Sequence, residues 1–259
     1  MSRLHLEFGC GRLKLAGTLD TAPGTTGLLI VSGGNEIRSG AFSDQAQLAA
    51  NIAKAGFPVF RFDRRGIGDS QGENRGFKSS AGDIRSAVEA FGAIAPQLDS
   101  IVAFGNCDAA SALMLSGGTG FKSLVLSNPW VIEEDDSPEN LPRDAIRARY
   151  ADKLKNPAEI ARLLRGEVDL RRLMRGLRNA ITPKQTSGSL AGQMESGLMR
   201  FGGNAKILLA GDDRTAQIFE SKWNASDPRI LRCEGADHSY ITVDAREWLT
   251  QQILSTLRA

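Results

Sequence analysis

Two histidines, three cysteines and no long apolar run leave few routes to function. No stretch approaches the roughly 20 apolar residues that span a bilayer, so no membrane span is expected. The opening residues, MSRLHLEFGCGRLKLAG, lack the apolar core of a signal peptide and alternate as strands do. Cys10, Cys107 and Cys233 are odd in number and widely spaced, which argues against a disulfide framework and against a metal site. A reducing, cytoplasmic setting is expected. An excess of either charge is small as well, with 32 Lys and Arg against 30 Asp and Glu. A net charge of +2 is too small to make nucleic acid or a membrane surface the main partner. Internal repeats and low-complexity tracts are absent.

What is present is an alternation of short apolar runs and helical patterns. Leu4 to Phe8 and Arg12 to Leu19 read as a hairpin turning at Gly9 and Gly11. Gly27 to Val31, Pro58 to Phe62, Ile101 to Phe104, Ser123 to Leu126, Lys206 to Ala210 and Arg229 to Arg232 suit strands covered on both faces. Ser80 to Asp83 resembles a capping box ahead of the face Ile84, Ala87, Val88 and Phe91. Ala245 to Leu257 closes the chain as an amphipathic helix. The expected fold class is α/β, a mostly parallel doubly wound sheet of about eight strands in one domain spanning 1–259.

Residues 130–204 interrupt this alternation and read as a helical lid or cap over the sheet's C-terminal edge, where open α/β sheets bind ligands. The segment opens on Glu133, Glu134, Asp135 and Asp136. Asn156-Pro157-Ala158-Glu159 then starts a helix with apolar Ile160, Leu163 and Leu164, and Leu170, Leu173, Met174 and Leu177 give another. Between Arg143 and Arg178 stand eleven Lys/Arg and five Asp/Glu. Solvated charge is the plain reading of that excess, and an anionic or carrier-bound substrate the sharper one.

The segment most informative about chemistry is Ile101 to Ser111, IVAFGNCDAAS. A strand runs through Gly105-Asn106-Cys107-Asp108-Ala109 into a helix. That is the nucleophile-elbow pattern G-x-S-x-G, with cysteine for serine and alanine for the last glycine. Small residues two before and two after the nucleophile let strand and helix approach closely. A helix N-terminus beneath Cys107 favours an anion there. An inert packing cysteine is the competing reading, and it suits Cys10 and Cys233, which lack this context.

Only His5 and His238 can serve as a base. His5 falls in the first strand, far from any C-terminal strand end. His238 falls in Gly235-Ala236-Asp237-His238-Ser239, after the last strand, where it can reach the elbow. The acid is expected between them in chain order, in Ala210-Gly211-Asp212-Asp213-Arg214. Adjacent aspartates diverge, so one serves: Asp213 is favoured over Asp212, and the other is left to cap the following helix. The expected oxyanion hole joins the Asp108 N–H to an N–H of the Ser32-Gly33-Gly34-Asn35 loop, Gly34 or Asn35. Arg38 in that loop is a candidate substrate-binding residue, as well as a solvated one.

Phe62-Asp63-Arg64-Arg65-Gly66-Ile67-Gly68-Asp69-Ser70 resembles the D-x-R-G-x-G-x-S turn of the α/β-hydrolases. With the elbow and the final Ala-Asp-His, the resemblance covers nearly the whole chain outside the lid. Further strings are similar to the exosortase A system-associated hydrolases of the first type. They are Val31-Ser32-Gly33-Gly34 with Arg38 and Gly40, Arg61-Phe62-Asp63, Gly105 to Ser111, Ser127-Asn128-Pro129-Trp130, and Gly211-Asp212-Asp213-Arg214-Thr215-Ala216. That resemblance implies cysteine in the elbow and a setting of exopolysaccharide production and C-terminal protein sorting. The residues and the resemblance together imply an ester or thioester hydrolase with a Cys107–His238–Asp213 triad. No metal or organic cofactor is implied, and the partner expected is a small-molecule acyl substrate. An acyltransferase using the same S-acyl intermediate, and a non-catalytic binding protein on a hydrolase fold, are the alternatives.

Overall fold

The computed structural model describes residues 2–133 and 188–259. Most of the expected lid, including both of its proposed helices, lies outside the described residues. The two alternating segments at the start form a hairpin, β1 (Arg3–Cys10) and β2 (Leu13–Asp20), in register from Arg3 opposite Asp20 to Cys10 opposite Leu13. Gly11 supplies the positive φ of the turn, at 61°, while Gly9 stays in the strand. The apolar runs become β3 (Thr26–Val31), β4 (Val59–Phe62), β5 (Ser100–Asn106), β6 (Ser123–Ser127), β7 (Asn204–Ala210) and β8 (Ile230–Cys233).

All eight strands join one sheet in the order β1-β2-β4-β3-β5-β6-β7-β8. The β1–β2 and β2–β4 pairs are antiparallel, and every pair from β4 onward is parallel. Side chains alternate between faces, so each parallel strand feeds two cores. Leu29, Ala103, Leu124 and Ile207 enter one core with the apolar sides of α2 (Ala81–Ile94) and α3 (Asp108–Leu115). Leu28, Val102, Val125 and Leu208 enter the other, with α1 (Asp44–Lys54) and the C-terminal helix. Strands buried on both faces explain why their sequences are unbroken apolar runs.

Residues 188–204, the end of the expected insertion, form a core element. Helix α4 (Leu190–Arg200) buries Leu190, Ala191, Met194 and Leu198 against α3 in the first core. Helices α5 (Arg214–Lys222) and α6 (Val243–Leu257) complete the described chain. No helix among the described residues is long and apolar enough to cross a membrane.

Expectation and structure part at the start of α2. Ser80 has helical angles and caps nothing; its hydroxyl accepts from Arg64 at 3.2 Å. The Asp83 carboxylate is taken by Arg65, at 2.6 and 2.8 Å. The capping box does not form, because two arginines of the turn after β4 claim both side chains.

The elbow depends on close approach between β5 and α3. A Cβ added to Gly105 would stand 2.8 Å from the Ala109 carbonyl carbon and 2.9 Å from the Ala110 nitrogen. Both are backbone atoms and cannot swing aside. Gly105→Ala is therefore expected to cost about 1–3 kcal/mol of stability. Urea unfolding should show a lower midpoint with an unchanged slope.

Candidate active site

Chain direction at Cys107 reverses within one residue. Its φ of 61° and ψ of −128° lie where non-glycine residues are strained. The surroundings enforce the strain: Cys107 N–H donates to Ser127 O at 3.0 Å, and Cys107 O accepts from Ala110 N–H at 3.1 Å and Trp130 N–H at 3.3 Å. The thiol is thereby lifted off the end of β5 to the head of α3, half-buried. The other two cysteines sit elsewhere. Cys10 is buried and its thiol donates to Asp83 Oδ1 at 3.4 Å. Burial, then the Glu234 charge, pushes the Cys233 thiol up, which keeps it protonated.

His238 comes from the loop after β8, and Asp213 from the loop after β7. His238 Nδ1 meets Asp213 Oδ2 at 2.9 Å, which leaves Nε2 for the sulfur. Asp213 is nearly buried, with 7% of its side chain exposed, while 38% of the His238 side chain is exposed. The pairing with Asp213, followed by the interaction with the Cys107 sulfur, pushes His238 up to about 10 against the opposing effect of burial. Burial works to raise Asp213, but the His238 hydrogen bond and charge, with the Thr215 and Ala216 N–H groups, hold it net below the ordinary carboxylate range.

The structure brings Cys107, His238 and Asp213 together, and it resolves the two aspartates in an unexpected way. Asp213 performs both duties: it meets His238 and caps α5, accepting from Thr215 and Ala216 N–H at 3.1 Å each. One carboxylate has enough lone pairs for three donors. Asp212 is not needed for the cap. His5 is far from this constellation in the chain fold, on edge strand β1, where its Nδ1 lies 3.1 Å from Thr18 Oγ1.

The His238 loop is held from beneath by two asparagines whose roles the sequence does not announce. Asn106 Nδ2 and Asn128 Nδ2 donate to the His238 carbonyl, at 3.1 and 3.3 Å. Asn128 Nδ2 also reaches Asn106 Oδ1 at 3.1 Å, and its own Oδ1 accepts from Ala210 N–H at 2.9 Å. Asn128 stands out in sequence only as part of Ser127-Asn128-Pro129-Trp130, just past an apolar run, and nothing there announces which groups its amide would join. Tyr240, buried, adds a hydroxyl contact to Ser127 at 3.0 Å.

The expected oxyanion loop lies against the elbow. A Cβ on Gly33 would stand 3.6 Å from the Cys107 Cβ. Asp108 N–H heads α3, at a position with no intrahelical acceptor. The Gly34 N–H, however, already donates to Asp108 Oδ1 at 2.7 Å. Asn35 turns its side chain to Asn74, accepting at 2.9 Å. The Arg38 guanidinium pairs with Asp63, with Asp69 at 2.9 Å and with Thr18 Oγ1 at 3.0 Å. Those acceptors tie it to the turn after β4 and to β2. A cavity on the α1 and α6 side adjoins the site, lined by Glu36, Asp44, Asn106, Ser239, Tyr240 and Arg246 among others. No group of His, Cys, Asp or Glu among the described residues is arranged to hold a metal ion.

No family model matches the chain, and no curated protein matches it in sequence. Its architecture does match solved structures. The esterase Pf2001 of Pyrococcus furiosus is 17% identical, with 99% of this chain and 92% of that one covered and a TM-score of 0.64. The α/β hydrolase GrgF from Penicillium sp. sh18 is 19% identical over 100% and 98% of the two chains, with a TM-score of 0.66. The thioesterase domain from the curacin biosynthetic pathway is 13% identical over 98% and 100%, with a TM-score of 0.58. The chain has the α/β-hydrolase fold.

A pH dependence of stability follows from the imidazole. Its folded value lies above the ordinary 6.5, so its contribution is complete below about pH 6.5 and is lost as pH rises through about 10. The melting-temperature gap between wild type and His238→Gln should therefore be wide at about pH 6 and narrow above about pH 10. A gap that stays constant across that range would contradict the assigned shift.

Proposed function

We propose that this protein hydrolyses an ester or thioester through an S-acyl intermediate on Cys107. The observation that carries the reading is the strained turn at Cys107, with its sulfur acting on an imidazole whose far nitrogen is 2.9 Å from a nearly buried carboxylate. A position of that strain persists only where the surrounding structure over-determines it, and such positions cluster at reactive sites.

The chemistry runs in two halves. His238 Nε2 takes the Cys107 proton as the sulfur attacks the acyl carbon, forming a C–S bond. The carbonyl electron pair moves to oxygen, where the Asp108 N–H and a loop N–H, Gly34 or Asn35, stabilise it. One such donor is worth about 3 kcal/mol of barrier. The C–O or C–S bond to the leaving group breaks, and His238 returns the proton to that group. Water then gives its proton to His238 and its oxygen to the acyl carbon, and the thiol leaves. Asp213 holds the imidazole in the tautomer that both halves need. A thiolate is a good nucleophile and a good leaving group, which suits activated acyl groups such as thioesters, lactones and aryl esters better than amides.

The fold shared with esterases and a thioesterase domain supports this class of reaction. The strings similar to the exosortase A system-associated hydrolases support a setting beside exopolysaccharide production. The positive excess between Arg143 and Arg178 supports an acyl substrate that is anionic or carrier-bound.

Cys107→Ala should reduce p-nitrophenyl ester hydrolysis to background, and unchanged turnover would remove the nucleophile. Cys107→Ser should fold and turn over more slowly, because the imidazole is poised to receive a thiol proton; equal or faster turnover would count against a thiolate mechanism. Iodoacetamide near neutral pH should label Cys107 ahead of Cys10 and Cys233, read by peptide mass spectrometry. Even labelling of all three would favour a binding protein that has lost catalysis.

A further inference from the structure

We propose that Asp108 is a gate on the acyl-oxygen position, occupying one oxyanion donor in the free protein and yielding it to the substrate. The inference rests on the reading of Cys107 as nucleophile. The Asp108 backbone would supply one donor of the hole, yet its side chain crosses to the opposite wall. There Oδ1 accepts the Gly34 N–H at 2.7 Å, a short, charge-assisted bond. The same oxygen lies 3.2 Å from where a Gly33 Cβ would stand, a point 3.6 Å from the Cys107 Cβ. The carboxylate and the nucleophile therefore share one corner of the site.

An amide N–H serves one strong acceptor at a time. A developing oxyanion and the Asp108 carboxylate compete for Gly34, and two anions in that corner repel. The structure also provides a holding point for the displaced carboxylate. Arg64 Nη2 lies 3.3 Å from both Asp108 oxygens, with only 5% of the Arg64 side chain exposed. Arg64 is fixed independently of Asp108, by the Gly34 carbonyl at 2.5 Å and Ser80 Oγ at 3.2 Å. Asp108 can thus rotate off Gly34 N–H and remain paired with Arg64, while Arg64 still holds Gly34 through its carbonyl. The Asp108 side chain is 16% exposed, which leaves it an open side to turn toward.

The test compares wild type, Asp108→Ala and Asp108→Asn in two reactions of Cys107. Acylation by p-nitrophenyl acetate uses the hole; alkylation by iodoacetamide does not. Intact-protein mass spectrometry follows both. The ratio of acylation to alkylation rates isolates the hole from any change in the thiol itself. It should rise about tenfold in Asp108→Ala, the size expected for removing one charge-assisted competitor. It should rise less in Asp108→Asn, whose amide oxygen still accepts but carries no charge. A ratio that is unchanged or lower in both, with Cys107 still acylated, overturns the gate and leaves the nucleophile standing. If Cys107 acylates in none of the three, the nucleophile reading fails and the gate fails with it. Should the alanine variant not fold, the near-isosteric asparagine variant decides by the same ratio.

Discussion

The contact on which the site depends is the approach of β5 to α3 at Gly105 and Ala109. With no side chain at 105, the strand end sits against the first turn of the helix, and the only path between them forces Cys107 to a positive φ. Everything else in the site is arranged around that forced angle. Helix α3 starts directly after the cysteine, the loop after β3 lies close on one side, and the His238 loop meets it from another. The strain is held by hydrogen bonds at both ends of the turn and by the parallel neighbours β3 and β6.

Most of this was readable from the chain. Unbroken apolar runs separated by helical periods suit strands covered on both faces, and these runs join the opening hairpin in one eight-stranded sheet. The elbow was readable because its small residues flank the cysteine at fixed spacing, and the pairing of Asp213 with His238 because each follows an apolar strand at the same sheet edge. What was not readable depends on competition among polar partners. Ser80 and Asp83 have the spacing of a cap, but Arg64 and Arg65, distant in sequence, bind them more strongly. Arg38 pairs with Asp63 and Asp69, partners that its place in the loop after β3 does not reveal. Helix α4 carries a core-facing stripe of Leu190, Met194 and Leu198 that belongs with α3, so its own sequence pattern marks it as core once the helix is set apart from the preceding segment.

The turn after β4 radiates charge through this half of the molecule. Asp63 binds Arg38, Arg64 binds Asp108 and the Gly34 carbonyl, and Arg65 binds Asp83. The turn after β4 thus braces the loop that faces Cys107. The candidate site is anchored in two directions, by these arginines on the loop after β3 and by asparagine amides on the loop after β8.

Asn128 has a wider consequence. Through one amide group it touches the residue before the cysteine, the carbonyl of the histidine and the strand end that leads to the aspartate. Three stretches of chain separated by up to 132 residues are thereby tied at a single knot. Thermal jostling of any one of them carries the other two along, so their relative spacing is conserved even as the whole edge breathes. The spacing of sulfur and imidazole is thereby set from below by a fully buried side chain rather than by the exposed faces of the loops around it.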